Sequence, residues 1–283
     1  MAAKAGKGGG GKPDFASIAG ILIAFGGIVG GLLLEGGKIS DISQVTAGII
    51  VIGGTLGAVM LTTPLSVLIG AVKQLGAVFF EKSHNPSQVI EEIIGYATRA
   101  RKNGIVSLES ELEKIHDPFL KKALSLAVDG TDLQELRKIM ELEIVAEEER
   151  SEAEAKVYEV AGGYSPTVGI IGAVQGLIQV MKHLEDIAEV GHGIAVAFVA
   201  TVYGVALANL LCLPAASKLK SRAHHAMKTK ELMLEGIVSI VEGMNPKLIR
   251  MKLAAYEEQG ASKKAKKAAS EAAPAGKPAS AEG

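Results

Sequence analysis

Two apolar stretches, 161–181 and 194–217, carry side chains suited to handling an ion or a dipole away from water. Thr167, Gln175 and Gln179 in the first, and Thr201, Tyr203 and Asn209 in the second, bring hydroxyls and amides to places where a lipid-facing polar group is costly. They are expected to face protein or water. Pro166 and Pro214 each lack a backbone N–H, so each frees a carbonyl and permits a kink near one end of its stretch. Neither stretch holds an Asp, Glu, Lys, Arg or His. Ion pathways ordinarily use carboxylates despite a cost of about 2.5–3.5 kcal/mol at a membrane helix centre. Either the chain moves no ions, or a partner supplies the acid.

Other chemistry finds little footing. Cys212 is the only cysteine, which excludes an internal disulfide, and its apolar setting reads as a small hydrophobe in a packed helix. His84, His116, His183, His192, His224 and His225 have neither ligand nor triad spacing. No zinc spacing, Gly-rich phosphate loop or nucleophile elbow occurs. No metal site, cofactor or enzymatic activity is expected.

The elements that must position these residues are apolar helices. The 283 residues are 48% hydrophobic with a net charge of −1, balanced between 30 Lys+Arg and 31 Asp+Glu, which excludes a disordered polyelectrolyte and a generally basic nucleic-acid binder. Four blocks, 15–34, 45–71, 161–181 and 194–217, contain no charged residue or His, and each reaches the ~20 residues that cross ~30 Å of hydrocarbon as helix. The second span can end near Thr62-Thr63-Pro64, with the following residues leaving along the interface. The N-terminal lysines imitate a signal peptide, but no small-residue cleavage site follows Leu34, so the first span is read as uncleaved.

Lys38 is the only Lys or Arg between the first two spans and Lys182 the only one between the last two, so positive charge places both termini and the long middle segment in the cytoplasm. The expected layout is an all-α polytopic membrane protein. It has a tail at 1–14, spans one and two within 15–71 around a short outer loop at 35–44, and a cytoplasmic helical domain at 72–160. Spans three and four lie within 161–217 around a second outer loop at 182–193, followed by cytoplasmic helices at 218–259 and an unstructured low-complexity tail at 260–283.

In the cytoplasmic parts, Pro86-Ser87 opens an amphipathic helix that Asn103-Gly104 closes. Ser107 starts another, ended at Asp117-Pro118, and a third runs from Pro118 to Asp129-Gly130. Thr131 with Gln134 reads as a capping box opening one continuous helix into the third span. A further helix over 218–242 breaks at Asn245-Pro246. Within the spans, the i,i+4 pairs Gly26/Gly30, Gly53/Gly57 and Gly172/Gly176 let helix backbones approach closely, either inside one bundle or between subunits.

The runs Ser165-Pro166-Thr167-Val168-Gly169-Ile170-Ile171-Gly172-Ala173 to Ile178 and Gly193 to Asn209, ending at Pro214, resemble the third and fourth spans of MotA/PomA-type flagellar stator proteins. Arg101-Lys102-Asn103-Gly104-Ile105-Val106-Ser107-Leu108-Glu109 resembles that family's cytoplasmic motif, and Asn245-Pro246 its C-terminal one. The likeness runs from about residue 15 to 257, and its four spans separate it from the three-span ExbB/TolQ relatives.

The resemblance implies a homo-oligomer, a pentamer, around two copies of a single-span MotB-type protein that binds peptidoglycan and carries the ion-accepting Asp. It implies that proton flow across the inner membrane is coupled to torque. It also implies that Arg101 and Glu109 meet the rotor protein FliG; their spacing alone reads as a solvated face. Pro166 and Pro214 match two prolines with a proposed role in coupling protonation to the cytoplasmic loop, where residue type alone reads as a helix break. Sodium-driven relatives carry Thr where this chain has Ala173, opposite the Thr matched by Thr201. A missing hydroxyl removes an oxygen ligand from a sodium site and favours a proton. The alternative is an ExbB/TolQ-like energiser of outer-membrane work, with a membrane scaffold that conducts nothing as a third class.

Overall fold

The first apolar helix starts at an acid. In the computed structural model, which describes residues 12–81 and 86–255, the Asp14 carboxylate accepts the Ser17 N–H at 3.2 Å and so caps α1, Phe15–Leu34. Just before it, β1, Lys12–Pro13, pairs antiparallel with β2, Phe80–Glu81. Most of the N-terminal tail and the low-complexity tail at 260–283 lie outside the described residues.

A 3-10 turn at Ile39–Ile42 leads into a second apolar helix, in which α2, Val45–Gly48, and α3, Gly54–Thr62, are joined through a π-helical turn at Ile49–Gly53. This helix stops at Thr63, whose extended backbone is what the following Pro64 demands. Then come α4, Leu65–Gln74, and α5, Gly76–Phe79. Helices α6, Pro86–Asn103, and α7, Pro118–Val128, begin on their prolines, and Asp117 caps the latter by accepting the Leu120 N–H at 2.9 Å. The longest helix, α8, spans Leu133–Lys182 without interruption and carries Pro166 inside it. Beyond it lie α9, Ile187–Ala206, a π-helical turn at Leu207–Cys212, α10, Leu213–Val241, and a helical run at 246–255.

Three expectations need correction. The helix expected from Ser107 begins at Ile105 and is 3-10, over Ile105–Lys114. Ser107 and Ser110 turn their hydroxyls back onto the carbonyls of Gly104 and Ser107, at 2.6 and 3.3 Å, which favours the tighter i→i+3 winding. The cap of α8 is Asp132, which accepts from Gln134 N–H at 2.9 Å, because the Thr131 N–H is already given to Leu126 O at the end of α7. Finally, α10 ends at Val241, ahead of Asn245-Pro246, in a turn where Gly243 takes φ +71°, and Asn245 starts the next helical run by accepting the Lys247 N–H at 3.0 Å.

Among the described residues, three helical stretches are long and apolar enough to cross a membrane, Phe15–Leu34, Ile39–Thr62 and Ile187–Val241. The block at 161–181 is not among them.

The chain divides into two compact units. One comprises 84–145 with the residues after 224, and its core packs α6, the 3-10 segment, α7 and the start of α8 around Ile93, Leu108, Phe119, Leu120, Leu124, Leu136, Met140 and Ile237, all essentially sealed from solvent. The other comprises the residues up to 83 with 146–224. Its buried contacts are smaller and more dispersed: Ala47 and Val51 against Val199 and Ala200, Val59 and Ala71 against Val157, and Val78 against Ala155, Ala215 and Leu219. α1 buries no residue fully. Apolar helices facing hydrocarbon need no water-shielded core of their own.

Candidate channel and rotor-facing sites

Where α8 and α9 meet, backbone lies against backbone. A Cβ built on Gly169 would stand 2.9 Å from Ala200 O, one on Gly172 2.7 Å from the Ala200 Cβ, and one on Gly176 2.6 Å from Gly193 O. Gly204 closes the Ser165 end of this seam, where a Cβ would stand 2.6 Å from Ser165 O. Ser165 is fully buried, and its hydroxyl donates to Gly204 O at 2.8 Å. Small residues at helical spacing permit this approach. Gly172 and Gly176 thus contact α9, whereas a Cβ on Gly26, Gly30, Gly53 or Gly57 would meet nothing within 4 Å among the described residues of this chain.

Pro166 lies inside α8 beside that contact, and Pro214 is the second residue after the π-helical turn Leu207–Cys212. A residue without an N–H cannot complete the helix ladder there, and a wider i→i+5 turn is one way the backbone adjusts. Asn209 donates its side-chain amide to Val205 O at 3.0 Å within the same region. Ala173 is half-buried on α8. Thr201 is half-buried too, its backbone packed on Gly169, and its hydroxyl donates to Ala197 O at 3.1 Å. With Ile28, Val202, Val205, Ala206 and Asn209, Thr201 lines an apolar cavity of about 330 Å³.

Two anchors hold the ends of this helical unit: the sequence marks Tyr203 as a side chain that should face protein or water without naming its partners, and it gives Asp14 no role. Tyr203 Oη donates to Ile42 O at 2.6 Å and accepts Gln44 N–H at 3.3 Å, tying the loop after α1 to α9. At the opposite end of α1, Asp14 pairs with Lys218 and, at 2.6 Å, with Arg222, which also donates to Phe80 O at 2.8 Å. The Lys218 ammonium, then the Ser17 N–H, and then Arg222 hold the Asp14 carboxyl far below the usual carboxylate range. An Asp immediately before an apolar run is the signal that could have found this cap.

Arg101 and Glu109 belong to the other unit, on either side of Gly104, whose φ of +82° lets α6 end and the chain turn into the 3-10 segment. Both side chains are exposed. Their neighbours are engaged: Arg99 pairs with Glu111 at 2.5 Å, and Lys114 reaches the same carboxylate at 3.2 Å. Arg99 first, and Lys114 with it, keep Glu111 below its ordinary pKa. Leu108, fully buried between the two sites, fixes the segment to the core. Arg101 and Glu109 are not ion-paired among the described residues. The arrangement leaves both charges available on a fixed surface, beside the exposed Lys102 and Glu113.

Long apolar helices joined through glycine, together with a helical unit that has a core of its own, define an all-helical polytopic membrane protein. Residues 18–103 match the motility protein A N-terminal family and residues 111–232 the MotA/TolQ/ExbB proton channel family. Motility protein A of Bacillus subtilis (strain 168) is 39% identical over 247 residues, covering 86% of this chain and 90% of that protein. The structure of C. jejuni MotAB matches with a TM-score of 0.82 and 33% identity, over 86% of this chain and 95% of that one. That of the flagellar MotAB stator complex from Bacillus subtilis matches at 0.79 and 38%, over 86% and 96%. The chain belongs to the MotA/TolQ/ExbB family, as a MotA-type flagellar stator protein.

Proposed function

We infer that this chain is the stator subunit that, with a single-span MotB-type partner, forms a channel coupling proton flow across the inner membrane to torque on the flagellar rotor. The observation that carries the reading is the α8–α9 seam: it is tight, buries the Ser165 hydroxyl, packs the Thr201 backbone on Gly169, and joins two apolar stretches that have no carboxylate of their own. A titrating group must come from a partner. The solved relatives at 33% and 38% identity are MotAB complexes. A channel and stator of this kind is not an enzyme.

The finer reading counts 161–181 as a fourth span, puts both termini and both cytoplasmic segments inside, and assembles five copies around two partner chains. The open glycine faces at Gly26/Gly30 and Gly53/Gly57 support contacts between subunits. Gly172 and Gly176 serve packing within the subunit. Ala173 and the inward-bonded hydroxyl of Thr201 favour a proton over sodium, since a hard cation needs several free oxygens. Arg101 and Glu109 press on successive charges of the rotor protein FliG while Pro166 and Pro214 let the spans bend. One proton falling through about 100 mV releases about 2.3 kcal/mol, and an exposed ion pair is worth about 0–1 kcal/mol, so one transfer suffices to exchange a surface contact.

Rotation of tethered cells in sodium-free medium tests this directly. Motility that requires the gene, persists without sodium and stops with a protonophore is expected. A strict sodium requirement overturns the ion choice, and normal rotation after deletion overturns the function.

A further inference from the structure

Side-chain hydroxyls in these helices usually fold back on their own backbone. Thr98, Thr201 and Ser239 each donate to the carbonyl four residues earlier, at 2.8, 3.1 and 2.8 Å. Ser165 does not: it reaches a residue 39 positions away, on the next helix, and is fully buried while doing so. Its neighbour in sequence is Pro166, which cannot donate to the carbonyl of Gly162. The acceptor, Gly204 O, already receives the Leu207 N–H, which is shared with Tyr203 O at the point where α9 passes into the π-helical turn Leu207–Cys212. One hydrogen bond thus joins the proline site of one helix to the register change of the next.

We propose that Ser165 is a positioning residue for coupling: its hydroxyl ties the Pro166 site of α8 to the π-helical turn at Leu207–Cys212 so that the two helices change shape as one. The geometry leaves little slack. A Cβ at Gly204 would fall 2.6 Å from Ser165 O, 3.1 Å from Gly169 Cα and 3.3 Å from Pro166 Cα, so no side chain lies between the backbones to absorb a displacement. π-helical turns and prolines are both places where a helix can bend at low cost. Bending of α8 at Pro166 moves Gly204 O, and the shared Leu207 N–H then favours one of its two carbonyls. The inference rests on the stator reading and on the coupling role proposed there for Pro166.

The experiment compares proton flux into vesicles holding the full complex with stall torque in tethered cells, for the parent, Ser165→Ala, Ser165→Cys and Gly204→Ala, at matched membrane amounts. In Ser165→Ala, torque is expected to fall about threefold, the size a single interhelical hydrogen bond in a membrane supports, with flux per complex preserved. Ser165→Cys, of similar size with a weaker donor, falls between parent and Ala. Gly204→Ala, which forces the backbones apart, loses more torque than Ser165→Ala. Unchanged torque in Ser165→Ala, equal torque in the Ala and Cys variants, or proportional loss of flux and torque overturns the proposal. Absence of flux in the parent complex itself is a different result, one that overturns the stator reading.

Discussion

Gly70 on α4 lies directly against the carboxylate of Glu154 on α8, so closely that a Cβ at residue 70 would overlap the Glu154 side chain. Glu154 is 2% exposed, with one oxygen receiving Arg150 Nε at 3.0 Å and the other buried without a hydrogen-bond partner. Tyr158, one turn on, donates to Ala71 O at 2.8 Å. A glycine, a buried acid and a phenol together seat α4 on α8.

Gly70→Ala is therefore expected to destabilise the purified complex by about 1–3 kcal/mol, the usual cost of forcing atoms into a filled site. Thermal unfolding measures it. Combining Gly70→Ala with Glu154→Ala should return part of the loss, because the colliding group is gone; an additive pair of losses would contradict the contact.

Tyr203→Phe removes one donor and one acceptor from the loop before α2 while keeping the ring against Gly48. Faster amide exchange confined to residues 39–46 is the expected result, with a stability loss of about 0.5–1.5 kcal/mol per hydrogen bond. Exchange unchanged there would mean that Ile42 and Gln44 are held by something other than this phenol.

Asp14→Asn keeps an oxygen to cap α1 and loses the charge that Lys218 and Arg222 share. The folded Asp14 carboxyl is held below its ordinary value, so its stabilisation is complete above the ordinary carboxylate range and declines as pH falls through the lower folded value. Parent and variant should differ by a constant amount between about pH 6 and 8 and converge in strong acid. A difference that grew as the pH was lowered into strong acid would have the wrong sign, and one that varied across pH 6–8 would belong to another group.

Charge reversal separates two neighbouring sets of residues. Arg101→Glu or Glu109→Lys should impair rotation with little change in the melting of the complex, and a compensating reversal on the rotor should restore it. Arg99→Glu, which breaks the pair with Glu111, should instead act first on the local fold. Normal rotation in both Arg101 and Glu109 reversals would remove them from the rotor contact.

The helices were legible in the sequence because the strongest signals were physical and local. Asn103-Gly104 and Asp129-Gly130 end helices where their backbone preferences require it, and uncharged blocks at 15–34 and 194–217 lie in long apolar helices. The missing acid in the α8–α9 stretches was visible from composition alone. Ser165 was part of a motif, but its bond to Gly204 depends on which face of α8 meets α9, and a periodicity does not state that. Likewise, Glu154 sits in a charged run that reads as solvated, and only the bare backbone of Gly70, far away in sequence, makes a buried place for it. The 3-10 winding after Gly104 turned on two serine hydroxyls choosing local carbonyls, a competition that hydrophobic pattern does not register.

Proton conductance across vesicles reconstituted with this chain alone, with the MotB-type partner, and with the partner's membrane Asp replaced by Asn tests the borrowed carboxylate most directly. Conductance only in the complex with the intact Asp is the expected result. Current carried by this chain alone, or by the Asn complex at the full rate, would contradict the account.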